Sequence, residues 1–109
     1  MSQSSFQVNI TPSQALSLVQ DGMNADLIHE EFHDVGGGRS IGTLVFEKYY
    51  MRTSNRAALV VIIDDLKGVT EVRSIATGSS QGMFFNFDWG ASDDFVHQVE
   101  EVLEEYIVE

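Results

Sequence analysis

The chain contains no cysteine, a single proline, a single tryptophan and only six basic residues among 109, and these shortages bound what it can be. Without cysteine there is no disulfide framework, no thiolate metal site and no thiol nucleophile, and the composition suits a reducing compartment. A cytoplasmic location is the expectation. Seventeen acidic residues against the six basic ones leave a net charge of −11, which opposes approach to a phosphate backbone or an anionic bilayer. Neither nucleic acid nor membrane is expected as a partner. The longest apolar run, Ala57–Ile63, has seven residues and is too short for a bilayer-spanning helix. Met1–Ser5 has neither the basic nor the apolar region of a secretory signal, so none is expected.

What is present is globular: 43% hydrophobic and 21% charged residues, in a length that suits one core and hence one domain over residues 1–109. Phe6, Val8 and Ile10 alternate with polar residues and predict a strand over about 5–10. Thr11-Pro12-Ser13-Gln14 then reads as a helix start, with Thr11 as N-cap, Pro12 at the first helical position and Gln14 completing a capping box. Ile10 and Ala15 stand where a hydrophobic staple would be, and Gly22 offers a left-handed C-cap.

Residues 24–35 fit a helix or a strand, because Ile28, Phe32 and Val35 can share a helical face. The triple glycine Gly36–Gly38 and the β-branched, aromatic stretch Ser40–Met51 that follow decide for a strand over about 25–35 in a hairpin. Ala57–Ile63, apolar at every position, reads as a central strand covered on both faces, by helices or by a partner. Val69–Thr77 reads as the next strand, with Val72, Ser74 and Ala76 on one face, and Gly78–Gly82 as a small-residue loop. Met83–Gly90 holds four of the eleven aromatic residues, and alternation places Met83, Phe85, Phe87 and Trp89 on one side. Ser92 then caps a long C-terminal helix whose apolar stripe is Phe95, Val96, Val99, Val102, Leu103 and Tyr106, with Glu100, Glu101, Glu104 and Glu105 opposite. The expected fold is α+β: an antiparallel sheet of four or five strands with a short N-terminal and a long C-terminal helix, in the order β-α-β-β-β-β-α. That order resembles a TATA-box-binding-protein-like or small helix-grip arrangement, a likeness of fold that carries no function.

The sharpest literal motif is His29-Glu30-Glu31-Phe32-His33. On a helix, an H-E-x-x-H string places two histidines on one zinc and a glutamate on its water, and so resembles the zinc-metallopeptidase signature. Position 39, where the extended signature has a third histidine, is Arg39, and a strand would remove the helical register. The reading adopted places His29, Glu31 and His33 on a solvated strand face with Phe32 inward; zinc-dependent hydrolysis by His29, Glu30 and His33 is the alternative. Neither glycine-rich segment has phosphate-cradling spacing, and no G-x-S-x-G string occurs. Catalytic residues and cofactors are therefore not assigned.

Two segments draw attention as binding elements. Residues 48–56 hold three of the six bases together with two tyrosines, the place where an anionic group would sit unless these bases pair internally. The aromatic run 84–90 is core or one wall of a pocket. The strings Leu44-Val45-Phe46-Glu47-Lys48-Tyr49-Tyr50-Met51-Arg52-Thr53-Ser54-Asn55-Arg56-Ala57 and Gln81-Gly82-Met83-Phe84-Phe85-Asn86-Phe87-Asp88-Trp89-Gly90-Ala91 resemble the two signature blocks of a small family of uncharacterised bacterial proteins. The resemblance implies a single-domain cytoplasmic protein and supplies no activity. The sequence therefore points to a non-enzymatic module for a small ligand or a protein, with Lys48, Tyr50, Arg52, Arg56, Asn86, Asp88 and Trp89 as candidate binding residues. The apolar strand and aromatic run further predict a homodimer through the sheet.

Overall fold

A computed structural model describes residues 2–51, 55–79 and 87–108, with side chains left out at 55, 78–79 and 87–92. The elements run β1 (Ser2–Val8), α1 (Pro12–Gly22), β2 (Asp26–Gly36), β3 (Arg39–Tyr50), β4 (Asn55–Asp64), β5 (Thr70–Ser79), α2 (Phe87–Val102), a 3-10 turn (Glu104–Tyr106) and β6 (Ile107–Val108). All strand pairs are antiparallel, in one sheet of order β2-β3-β4-β5-β1-β6. The class is α+β as expected, but the sheet has six strands rather than four or five. The additional strand is β6, whose Ile107 and Val108 pair with Val8 and Gln7. Two residues cannot display a period, which is why pattern reading passes over them.

Local chemistry accounts for α1. Thr11 accepts from the Gln14 backbone N–H at 3.2 Å while the Gln14 side chain accepts from the Thr11 N–H at 3.0 Å, so two of the helix's orphan donors are satisfied, and Pro12 occupies the position that needs no donor. The C-terminus departs from expectation. The cap is Met23 in extended conformation, and Gly22 does not adopt positive φ. Glycine is needed there for closeness instead, since a Cβ on Gly22 would stand 2.9 Å from Val102 Cγ1 of α2. Gly36, Gly37 and Gly38 do take positive φ (91°, 65° and 77°) and close the β2–β3 hairpin.

The aromatic run also differs. α2 begins at Phe87, five positions before the expected cap Ser92, so Phe87 and Trp89 lie in a helix and do not alternate along a strand. A run of bulky residues a few positions long fits either period, and here the helix extends back through it. β5 likewise continues to Ser79, into the segment read as a loop.

Both helices lie on one face of the sheet, α1 against β3 and β4, α2 against β4, β5 and β1, and they touch each other. The core is the layer between: Leu44 and Phe46 of β3, Leu59, Val61 and Ile63 of β4, Val72 of β5, Val19 of α1, and Phe95, Val99 and Leu103 of α2, all fully buried or nearly so. Alternation along each strand then sends the intervening residues to the other face, which no described helix covers.

Candidate interaction surface

The helix-free face can be read row by row from the strand register. One row runs His29, Val45, Val60, Ile75, Gln3 across five strands, and the next runs Glu31, Thr43, Ile62, Arg73, Ser5. Ile41 and Ala58 extend it along β3 and β4. The centre of this face is therefore Ile41, Val45, Ala58, Val60, Ile62 and Ile75, all half-buried and none sealed. An antiparallel sheet with one solvated face ordinarily alternates apolar-in with polar-out, and β4 does not: it carries Leu59, Val61 and Ile63 toward the helices and Val60 and Ile62 away from them. Of the two ways of covering such a strand, the chain's own helices supply one face only.

Several charges on this surface are paired within it. Arg73 donates to Asp64 Oδ2 at 2.9 Å, and Asp64, only 4% exposed, also accepts from the Leu66 N–H at 3.1 Å. Arg56 meets Glu47 at 3.2 Å and lies 5.9 Å over the Tyr49 ring. At the β2 edge the imidazole Nε2 atoms of His29 and His33 stand 2.7 and 2.8 Å from the two carboxylate oxygens of Glu31. Hydrogen bonds from His33 and then His29 hold the Glu31 carboxyl below its ordinary value.

That trio settles the conformation of the H-E-x-x-H string. Residues 26–36 are a strand, His29, Glu31 and His33 share its helix-free side, and Phe32 faces the other way, opposite Gly42. The two imidazoles bracket one carboxylate instead of converging on a metal, and among the described residues no group of three His, Asp or Glu side chains is placed to hold one. The zinc-peptidase register is not formed.

The candidate binding residues divide between faces. Lys48 pairs in register with Ala57 and faces the helix layer, where its ammonium lies 5.2 Å over the Tyr50 ring. Tyr50 packs edge-on against Phe95 of α2, ring centroids 6.1 Å apart, and burial followed by the nearby Asp94 charge raises its hydroxyl's pKa. Arg56, opposite Tyr49, is on the helix-free side. Lys48 and Arg56 thus do not share a site. Arg52 and Asn86 lie outside the described residues, as do the side chains of Asp88 and Trp89. Sequence reading named none of Val45, Val60, Ile62 or Ile75 individually; the signal that could find them is the unbroken apolar run of β4.

One recess, of about 630 Å³, lies between β1 and α2 and is lined by Ser2, Ser4, Asp93, Asp94, His97 and Glu100 among others. Several of its polar groups are engaged with one another: Ser2 donates to Asp93, Ser4 donates to Glu100 at 2.6 Å, and His97 meets Glu100 at 3.3 Å. The contacts of Ser2 and Ser4 fasten α2 to the sheet. No described helix is long and apolar enough to cross a membrane.

A family model described as a family of unknown function, DUF6054, matches residues 1–107. The chain belongs to the DUF6054 family. No curated protein matches it, and no solved structure does. The DUF6054 match spans nearly the whole chain, so both helices, strands β1 to β5 and the helix-free face fall within the matched residues.

Proposed function

We propose that this chain is a non-enzymatic protein-interaction module whose working surface is the helix-free face of its sheet. The observation that carries the reading is the apolar centre formed by Val45, Val60, Ile62 and Ile75 on the one face that no described element covers. Contiguous apolar surface of this kind, rimmed by polar residues such as Gln3, Ser5 and Glu47, is the usual mark of a protein-binding site. The internal pairing of Arg73 with Asp64 and of Arg56 with Glu47 means that a partner need not bring charge of either sign to the centre.

Face-to-face packing with a second copy satisfies these requirements, with the two sheets at about 30° and about 10 Å apart, as in a sandwich. This is the form in which the expected homodimer is proposed. Sedimentation equilibrium of the wild-type chain and of Val60→Glu tests it: the wild type is expected above the 12.1 kDa protomer mass and at a higher assembly mass than the variant. Association unaffected by Val60→Glu and Ile62→Glu alike removes the face from the function.

A further inference from the structure

The edge of the sheet opposite β6 carries a second docking feature. β2 ends the sheet, pairing with β3 alone, and is 11 residues long with every residue exposed, including Leu27, Ile28, Phe32 and Val35. Proteins normally blunt such an edge by shortening it, kinking it or covering it, because its free N–H and C=O groups template another strand. Here the irregularities lie at the ends, between Leu27 and His29 and between Asp34 and Gly36, and leave His29–Asp34 in unbroken register. The kinks bound a six-residue pairing segment and do not interrupt it.

From this edge we infer that β2 pairs antiparallel with β2 of a second copy of this chain, about a two-fold axis through Phe32. The occupant follows from the segment's self-complementarity. An antiparallel pair of identical strands in one continuous sheet must centre on a residue, since residues facing each other point to the same side. Centring on Glu30 or Glu31 sets two glutamates directly against each other at the axis. Centring on Phe32 sets Phe32 against Phe32 of the second copy, and on the helix-free side sets Glu31 against the second copy's His33 twice over. Aromatic pairs are favourable cross-strand combinations, and a carboxylate facing an imidazole can accept from its ring N–H. Glu31 already takes one contact on each oxygen from its own His29 and His33, and a carboxylate has lone pairs for more. The cost is Glu30 opposite Asp34 at both ends, where all four side chains are in exposed positions. Because the axis is normal to the sheet, both helix-free faces fall on the same side. The product is a continuous sheet of twice the six strands that presents a doubled apolar platform.

The experiment uses the full chain carrying Val60→Glu, so that face pairing does not contribute and the two ideas fail separately. Sedimentation equilibrium at pH 7 is run on this chain alone and with His33→Glu, Glu31→Lys, or both, with circular dichroism confirming the fold of each. The Val60→Glu chain is expected to form a dimer of twice the 12.1 kDa protomer mass. His33→Glu places Glu31 against a second glutamate and Glu31→Lys places lysine against His33, each at two symmetric positions. Each single change should weaken the dimer about tenfold, and the double swap should restore it to within about twofold. A monomer at every concentration overturns the proposal, and so does a double swap no better than the singles. A wild-type dimer that Val60→Glu abolishes and the swaps leave unchanged supports the face reading and overturns this one.

Discussion

Gly42 is a position where a single methyl group should have a large effect for its size. It lies in β3 on the helix side, its φ is not positive, and alanine fits its backbone. On backbone grounds alone Gly42→Ala would stabilise the protein by about 0.4–1 kcal/mol, through lost freedom of the unfolded chain. The surroundings reverse the sign. A Cβ at Gly42 overlaps Leu16 Cδ1 of α1, which is buried in the core, and stands 3.2 Å from Phe32 Cδ1 of β2. Forcing a methyl into a packed core costs about 1–3 kcal/mol, so the net expectation is destabilisation of about 0.5–2 kcal/mol. In a domain of this size that is a fall of several degrees in Tm. The cause is separable by a double-mutant cycle in urea, followed by circular dichroism. Leu16→Ala alone should cost about 2–5 kcal/mol, but Gly42→Ala in that background should be neutral or stabilising, because the methyl then enters the space Leu16 leaves. Gly42→Ala with the same destabilisation in both backgrounds would refute the steric account.

Thr11→Ala should cost about 1 kcal/mol by denaturant unfolding and Thr11→Ser much less, since the side-chain oxygen that accepts from Gln14 is what matters. Phe95→Ala empties a fully buried site between α2 and Tyr50 and should cost about 3–5 kcal/mol, with loss of near-ultraviolet tyrosine signal. Glu31, with its folded pKa depressed by the two histidines, contributes stability that is present above the unfolded carboxyl value of 4.5 and is lost as pH falls through the lower folded value. A carboxyl-carbon NMR titration should therefore place its midpoint below 4.5, and His33→Ala should move it upward; a midpoint at or above 4.5 in the wild type contradicts the hydrogen-bonded trio. The whole trio is exposed, so Glu31→Gln should leave Tm nearly unchanged.

How much of this was legible in the sequence depends on whether the cause was local. The α1 start was readable because the capping contacts of Thr11 and Gln14, and the place of Pro12 between them, all fall within four consecutive residues. The strand at 25–35 was ambiguous by period and was decided by the adjacent Gly36–Gly38, again a local signal. The reason for Gly22 was not readable, because it is a contact with Val102, eighty positions away. Nor was the separation of Lys48 from Arg56: the register between β3 and β4 sets Lys48 against Ala57 and Arg56 against Tyr49, and a shift of one residue would have put both bases on one face. The unbroken apolar run of β4 did announce that two faces needed cover, and it did so without saying which face the helices would leave open.

The one-sided core gives the proposed surface its experimental value. Among the described residues every fully buried hydrophobic side chain of the sheet and helices lies in the layer between them, so the helix-free face contributes to folding through half-buried cross-strand neighbours and the Arg73–Asp64 pair. A substitution at Leu59 or Val61 removes packing that holds α1 and α2 in place and is costly whatever the protein does. The same change at Val60 or Ile62, one position along the same strand, falls on the face that no described helix covers. Stability and the proposed association therefore fall on alternate residues of β4, and a charge placed on the outward set is expected to read out binding with little effect on the fold. If Val60→Glu lowered stability as much as Leu59→Ala, the face would belong to the core, and its assignment as a working surface would fall with it.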